Sequence, residues 1–295
     1  MVQCYIIELK AMTHAPVSKA WKRCSILLGL TVGGLLLAIS ERHRWHQRVS
    51  PLWVRTIHDI PYGPHLENRL DILQRRWSAH STDRPAVIIF HGGGWTAGSR
   101  EDMLVRVCHR YLEHGFVVAN VEYRKGAIAA AVEDAVLALQ WFSRHTADYG
   151  ASRNRIVVTG ESAGAHLALM AAFQSGERIA AIVNFYGVTD LVPLAGRPQI
   201  RAVLPPGDPE TAAKALSPVN HIRRGLPPVF SIHGTEDEVV PIGQTTQLTR
   251  GIMQIGEEAF ERYIAGGGHG FSKGQQETAY AAIFEFLERR GILNQ

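Results

Sequence analysis

Ser162 stands in Gly160-Glu161-Ser162-Ala163-Gly164, a G-x-S-x-G pentapeptide. An apolar run, Ile156-Val157-Val158, precedes it, and an alanine-rich stretch from Ala163 to about Phe173 follows. This is the strand–turn–helix context in which such a serine serves as a nucleophile. The corner is sharp enough to strain the serine backbone. Glycines two residues before and after it are required, because a Cβ at either place would collide across the turn. The following helix points its N-terminus, with its unpaired N–H groups, at a negative charge developing beside the serine.

A serine hydroxyl needs a base to take its proton and a carboxylate to orient that base. The apolar run Ala86–Phe90 ends in His91-Gly92-Gly93-Gly94-Trp95. Consecutive glycines at a strand end let backbone N–H groups approach a ligand closely. A phosphate cradle would end in Gly-Lys-Ser/Thr, whereas this chain continues Thr96-Ala-Gly-Ser-Arg100. Further on, Pro228–Ile232 leads into His233-Gly234-Thr235-Glu236-Asp237-Glu238. A carboxylate just past a strand end can orient a histidine. Asp237 is the expected acid, and the flanking Glu236 and Glu238 are expected to be solvated. The last strand-like run, Ala259–Ile264, ends in Ala265-Gly-Gly-Gly-His269-Gly270-Phe271. A histidine on such a mobile loop, with an ordinary pKa near 6.5, can both accept and return a proton at neutral pH.

Elements that would position these groups are readable from periodicity. Strand-like stretches at 53–57 and 66–73 precede the run at 86–90, followed by others at 116–124, 155–160, 179–186, 228–232 and 259–264. Helical patterns fall between them at 101–114, 127–145, 163–173 and 242–256, with a last one at 275–290. In the helix 127–145, Ile128, Val132, Ala135, Leu139 and Phe142 recur at helical spacing. Continuous apolar strands alternating with helices predict a mostly parallel sheet covered on both faces. Active sites in such sheets lie beyond the strands' C-terminal ends, where both glycine motifs fall. Periodicity is lost between 187 and 227, a proline-rich stretch expected to form a short lid or cap.

The chain has 295 residues and a net charge of +4, but the charge is unevenly spread. Residues 1–50 carry seven Lys or Arg against two Glu, a net +5, which leaves −1 for the remainder. The basic residues flank the apolar segment Ile26–Ile39, so they suit a membrane surface rather than nucleic acid. With its uncharged neighbours the segment runs from Cys24 to Ser40, roughly 25 Å as a helix against a hydrocarbon core of ~30 Å. Three readings compete: a signal peptide cleaved near Ala38-Ile-Ser40, an uncleaved anchor, and a helix packed on the domain. Apolar character all round favours the two membrane-directed readings. The expected organisation is therefore an N-terminal targeting segment, 1–45, with its apolar part at 25–40, and a catalytic domain, 46–295. Cys4, Cys24 and Cys108 offer no disulfide framework. The histidine pairs His43/His46 and His109/His114 lack the ligand sets of a metal site.

Together, His91-Gly-Gly-Gly-Trp95, Gly160-Glu-Ser162-Ala-Gly164, the Asp237 loop and Gly-Gly-His269-Gly-Phe271 resemble the α/β-hydrolase superfamily over about residues 50–295. The similarity is to its esterase and lipase branch: hormone-sensitive-lipase-like, feruloyl-esterase-like and isoprenylcysteine-methylesterase-like carboxylesterases. One departure is Glu161, where the hormone-sensitive-lipase branch often carries Asp. The resemblance implies an α/β-hydrolase fold with a mostly parallel sheet, flanking helices and a short cap at 187–227. It implies a catalytic set of Ser162, Asp237 and His269, in the order nucleophile, acid, base. His233 precedes the acid and is then a loop anchor. It further implies an oxyanion hole from the N–H groups of Gly92, Gly93 and Ala163, with Gly94, Trp95 and Glu161 against the substrate. The implied activity is hydrolysis of small or medium carboxylic esters through an acyl-enzyme, without metal or organic cofactor. An arylformamidase-like amidase is the alternative, and a non-catalytic membrane-tethered binding protein a remote one. Neither the oligomeric state nor the side of the membrane is legible.

Overall fold

Eight strands form one sheet in the order β1-β2-β4-β3-β5-β6-β7-β8. They are β1 Val54–Pro61, β2 Arg69–Arg75, β3 Arg84–Phe90, β4 Val117–Val121, β5 Ala151–Glu161, β6 Ala181–Phe185, β7 Val229–Gly234 and β8 Ala259–Ile264. The computed structural model describes residues 51–76 and 83–293. The predicted targeting segment, 1–45, lies outside the described residues. Among those described, no helix is long and apolar enough to cross a membrane.

β1 and β2 pair antiparallel with each other, and β2 pairs antiparallel with β4. From β4 onward every pairing is parallel. The reason is visible in composition. Ala86–Phe90 of β3 and all of β4 are fully buried, as befits strands covered by helices on both faces. β1 and β8, at the two edges, are largely exposed or half-buried.

Side chains alternate across the sheet, so each strand feeds two cores. Ala86, Ile88 and Phe90 of β3 face one way, with Ile156 and Val158 of β5. Val87, Ile89 and Val157 face the other. Among the described residues there are seven α-helices: α1 His109–Glu113, α2 Ile128–His145, α3 Ala163–Gln174, α4 Pro198–Arg201, α5 Pro209–Ala215, α6 Gly243–Gln254 and α7 Lys273–Arg289. α2, α3 and α6 pack the first core through residues such as Leu139, Leu167 and Leu248. α1 and α7 pack the second through Tyr111, Leu112, Ile283 and Leu287. Each such side chain contributes about 1.5–3 kcal/mol when fully buried.

Two stretches depart from the pattern in the sequence. The predicted helix 101–114 is three short pieces, a 3-10 turn Arg100–Met103, a π-helical turn Leu104–Cys108, and α1. Asp102 Oδ2 accepts the N–H of Ser99 at 2.8 Å and tightens the first piece. The π turn then takes up one extra residue before α1 resumes. In the cap segment, where no periodicity is legible, α4 and α5 form. Asp208 caps α5 by accepting the Thr211 N–H at 2.8 Å, and Pro209 is preset for the first turn.

Because β3, β5, β7 and β8 run parallel, their C-terminal ends lie on one side of the sheet. The elbow helix α3 reaches that side only by close backbone contact. A Cβ on Gly164 would stand 2.1 Å from the Phe90 carbonyl oxygen and 2.5 Å from that of His91. One on Gly160 would stand 2.4 Å from the Gly164 carbonyl carbon. Backbone atoms cannot move aside cheaply, so Gly164→Ala should cost about 1–3 kcal/mol or more. Urea denaturation would read this as a lower midpoint at unchanged slope, and an unaltered midpoint would contradict the contact.

Candidate active site

Ser162 links β5 to α3 with φ 54° and ψ −118°, a conformation rarely adopted by L-residues and costing about 1–3 kcal/mol. Two backbone bonds hold it there. Its N–H donates to Phe185 at the end of β6 (3.0 Å), and its carbonyl accepts the His166 N–H (3.1 Å). The hydroxyl is thereby turned outward, toward His269. Ser162 Oγ lies 2.9 Å from His269 Nε2. His269 Nδ1 lies 2.8 Å from Asp237 Oδ2.

The Asp237 side chain is fully buried, while that of His269 is 21% exposed. The aspartate is held by its own turn, its Oδ1 accepting the N–H groups of Val239 and Val240, each at 2.9 Å. His233 secures the same turn. Its Nε2 bonds the Val240 carbonyl at 2.9 Å and lies 3.3 Å from Asp237 Oδ2, and its Nδ1 meets Thr245 Oγ1 at 2.8 Å. His233 thus anchors the acid loop, and Glu236 and Glu238 are exposed beside it. Gly234 Cα sits so close to Gly267 that a Cβ would stand 2.1 Å from its carbonyl oxygen. That contact ties the acid loop to the histidine loop.

The glycine loop after β3 lies against the elbow. A Cβ on Gly92 would stand 3.0 Å from the Glu161 carbonyl oxygen and 3.7 Å from Ser162 Cβ. Gly93 has φ 120°, and its carbonyl accepts the N–H groups of Thr96 and Ala97. At the loop's base, the His91 ring stacks on Tyr123 at 4.2 Å. His91 Nδ1 meets the Gly92 carbonyl at 2.7 Å and Nε2 meets Glu122 at 3.1 Å. Ala163 opens α3 directly beside Ser162. Gly94, with φ 59°, is exposed on the same loop.

Two residues expected against the substrate are turned inward. Trp95 is 2% exposed, and its indole N–H donates to His166 Nδ1 at 3.3 Å. Glu161 is the last residue of β5, and its side chain is largely buried. It pairs there with Arg106 of the π-helical turn at 2.7 Å. Burial raises the Glu161 pKa, and the Arg106 charge opposes that rise. Neither side chain offers a ligand much surface.

Three residues near the site are not apparent from the motifs. Tyr186, at φ 39°, packs its ring edge-on against both His269 and Phe271. Arg106 carries no signal in the sequence. His166 carried one: it is the sole polar side chain in the otherwise apolar stretch Ala163–Phe173. It is fully buried, and its Nε2–H donates to the Leu216 carbonyl at 2.8 Å. Burial pushes its pKa down from 6.5 to about 4.

A mostly parallel sheet with a strained serine at a strand–helix corner, hydrogen-bonded to histidine and carboxylate from later strand ends, defines a serine-bearing α/β-hydrolase. Residues 70–252 match the model of the BD-FAE family, and the chain belongs to that family. It is 31% identical over 226 residues to Esterase LipQ of Mycobacterium tuberculosis, covering 67% of this chain and 53% of that protein. It is 27% identical over 230 residues to a probable isoprenylcysteine alpha-carbonyl methylesterase, ICMEL1, of Arabidopsis thaliana, covering 68% of this chain and 48% of the relative. The chain thus spans about half the length of these curated relatives. Among solved structures, esterase Est2 of Thermogutta terrifontis with propionate bound superposes with a TM-score of 0.70 at 26% identity. That match covers 83% of this chain and 97% of Est2.

The neutral, buried His166 has a consequence for acid stability. Its folded pKa is depressed, so below pH 6.5 the unfolded chain binds a proton that the folded chain refuses. Stability from this group is complete above pH 6.5 and is lost as pH falls toward about 4. The loss is about 3 kcal/mol. Urea unfolding of the wild type and of His166→Asn at pH 7 and pH 4 should show a steeper decline in the wild type by roughly that amount. Parallel declines would mean that His166 titrates normally.

Proposed function

We propose that the chain is a serine carboxylesterase acting on small or medium carboxylic esters. The observation that carries this reading is the continuous hydrogen-bonded line Ser162 Oγ to His269 Nε2 (2.9 Å), then His269 Nδ1 to Asp237 Oδ2 (2.8 Å). The esterase names of the relatives support it, as does the propionate bound to Est2.

The chemistry is two-step acyl transfer. His269 Nε2 takes the Ser162 proton as Oγ bonds to the ester carbonyl carbon. The carbonyl oxygen becomes an oxyanion, held by the N–H groups of Ala163, Gly92 and Gly93. A single well-placed donor of this kind contributes about 3–4 kcal/mol in the transition state. Asp237 keeps the Nδ1 proton on the ring and stabilises the imidazolium. The C–O bond to the alcohol breaks, and His269 returns its proton to the leaving alkoxide. Water then repeats the sequence on the acyl-enzyme, releasing the acid and restoring Ser162.

The test is turnover by the full chain of p-nitrophenyl esters from acetate to palmitate, with N-formylkynurenine in parallel. Ester turnover should fall with acyl length. Ser162→Ala should lower kcat by about 10⁴–10⁶-fold and Asp237→Asn by about 10⁴-fold. Turnover confined to the formamide would replace the esterase with an amidase. Ester turnover that survives in Ser162→Ala would overturn the serine mechanism altogether.

We also propose that the apolar segment Ile26–Ile39, flanked by basic residues, directs the chain to a membrane. In a bacterial host, the chain should sediment with membranes through a carbonate wash if the segment is an anchor. If it is a signal peptide, the chain should carry a new N-terminus near residue 41. A carbonate-soluble chain that still begins at Met1 would reject both.

A further inference from the structure

His166 joins two parts of the molecule that are far apart in the sequence. It lies one helical turn after Ser162, whose carbonyl accepts its N–H. Trp95 Nε1–H donates to its Nδ1 at 3.3 Å, and its Nε2–H donates to the Leu216 carbonyl at 2.8 Å. An indole N–H only donates and a carbonyl only accepts, so the ring is neutral with its proton on Nε2. The two rings meet edge-on, with centroids 5.2 Å apart and planes at 88°. This sets the indole N–H against the imidazole lone pair.

What the ring joins matters. Trp95 stands two residues after Gly93, at φ 59°, and its carbonyl accepts the Gly126 N–H. Gly92, Gly93 and Gly94 have no side chains with which to fix themselves. The loop is therefore pinned from its ends, by His91 against Glu122 and Tyr123 on one side and by Trp95 against His166 on the other. Leu216 follows α5 in the cap segment, next to Ser217, whose hydroxyl accepts the Leu191 N–H.

We propose that His166 is a positioning residue for the oxyanion hole, holding the glycine loop through Trp95 and the cap segment through Leu216, so that the two are aligned together. The proposal rests on the esterase reading above. Oxyanion donors act only when held within a few tenths of an ångström of the developing charge. A misplacement of about 1 Å costs about 100-fold in rate.

Asn and Gln separate the two ends of the ring. In His166→Asn, Oδ1 falls near the place of Nδ1 and still accepts from Trp95, but nothing reaches Leu216. In His166→Gln, the amide N–H₂ falls near the place of Nε2 and still reaches Leu216, but the acceptor for Trp95 is lost. Measured on a short p-nitrophenyl ester, His166→Gln should lose about 10–100-fold in kcat with KM within about 3-fold. His166→Asn should keep kcat within about 3-fold and raise KM by about 3–10-fold. Trp95→Phe, which keeps an aromatic ring in the core, should reproduce the His166→Gln loss. The double variant should lose no more than either single one.

A residue that only packs would lower Tm in both His166 variants and leave kcat alike in both. That outcome, or additive losses in the double variant, would overturn the proposal. Should the His166 variants fail to fold by circular dichroism, Trp95→Phe decides alone, and an unchanged kcat there overturns it. The second-order rate of Ser162 labelling by a fluorophosphonate gives the same comparison without ester turnover. A wild type inert to both esters and probe would sink the esterase reading and this proposal with it. A reactive wild type matched by His166→Gln would sink this proposal only.

Discussion

The site depends on one steric constraint: the elbow helix touches the end of β3 backbone to backbone. Gly160 and Gly164 permit that contact, since a Cβ on Gly164 would fall 2.1 Å from the Phe90 oxygen. Everything else follows from the approach it allows. It sets the glycine loop beside Ser162, it brings the first turn of α3 within reach of Trp95, and it forces the serine into its strained φ and ψ. The strain is tolerated because the backbone on both sides of the corner is already committed, through the bonds to Phe185 and His166.

Around that contact the polar groups are arranged by burial. Asp237 is taken out of water but surrounded by donors, so its charge has partners on every side. Glu161 is also buried, one residue before Ser162, and Arg106 of the π-helical turn balances it. Two carboxylates close to the serine thus have separate surroundings. Asp237 bonds the histidine, and Glu161 pairs with an arginine.

Much of this was legible in the sequence because it follows from local rules. Buried parallel strands read as unbroken apolar runs, and Ala86–Phe90 is fully buried in the structure. Ser162, Asp237 and His269 come together because each follows a strand of one parallel set, and parallel strands end on one side. What was not legible depends on side-chain direction and on packing. Trp95 and Glu161 are adjacent to the motifs in the chain, but their side chains turn into the protein. Adjacency in the sequence does not reveal which face of a strand a residue occupies unless the register is known. The break of the helix at 101–114 escapes periodicity for a similar reason. A single inserted residue in a π turn shifts the phase without altering composition. The short helices of the cap have too few residues for a period to emerge, although Asp208-Pro209 is a helix start that propensity alone could identify.

The members of the site are spread along the chain, and the Ser162–His269 bond spans 107 residues. On the ribosome, the strained corner is therefore made long before its base. On the serine mechanism proposed above, a nascent chain that has emerged only as far as β7 carries the serine and, soon after, the carboxylate, but not the base. On that reading the hydroxyl stays unreactive until β8 has joined the sheet and the loop beyond it is held by α7, whose Gln275 and Gln276 side chains donate to the Ala265 and Phe271 carbonyls. Contacts of such long sequence separation form late and slowly. Under the proposed mechanism, reactivity marks the completion of folding, and a chain interrupted before His269 lacks its base.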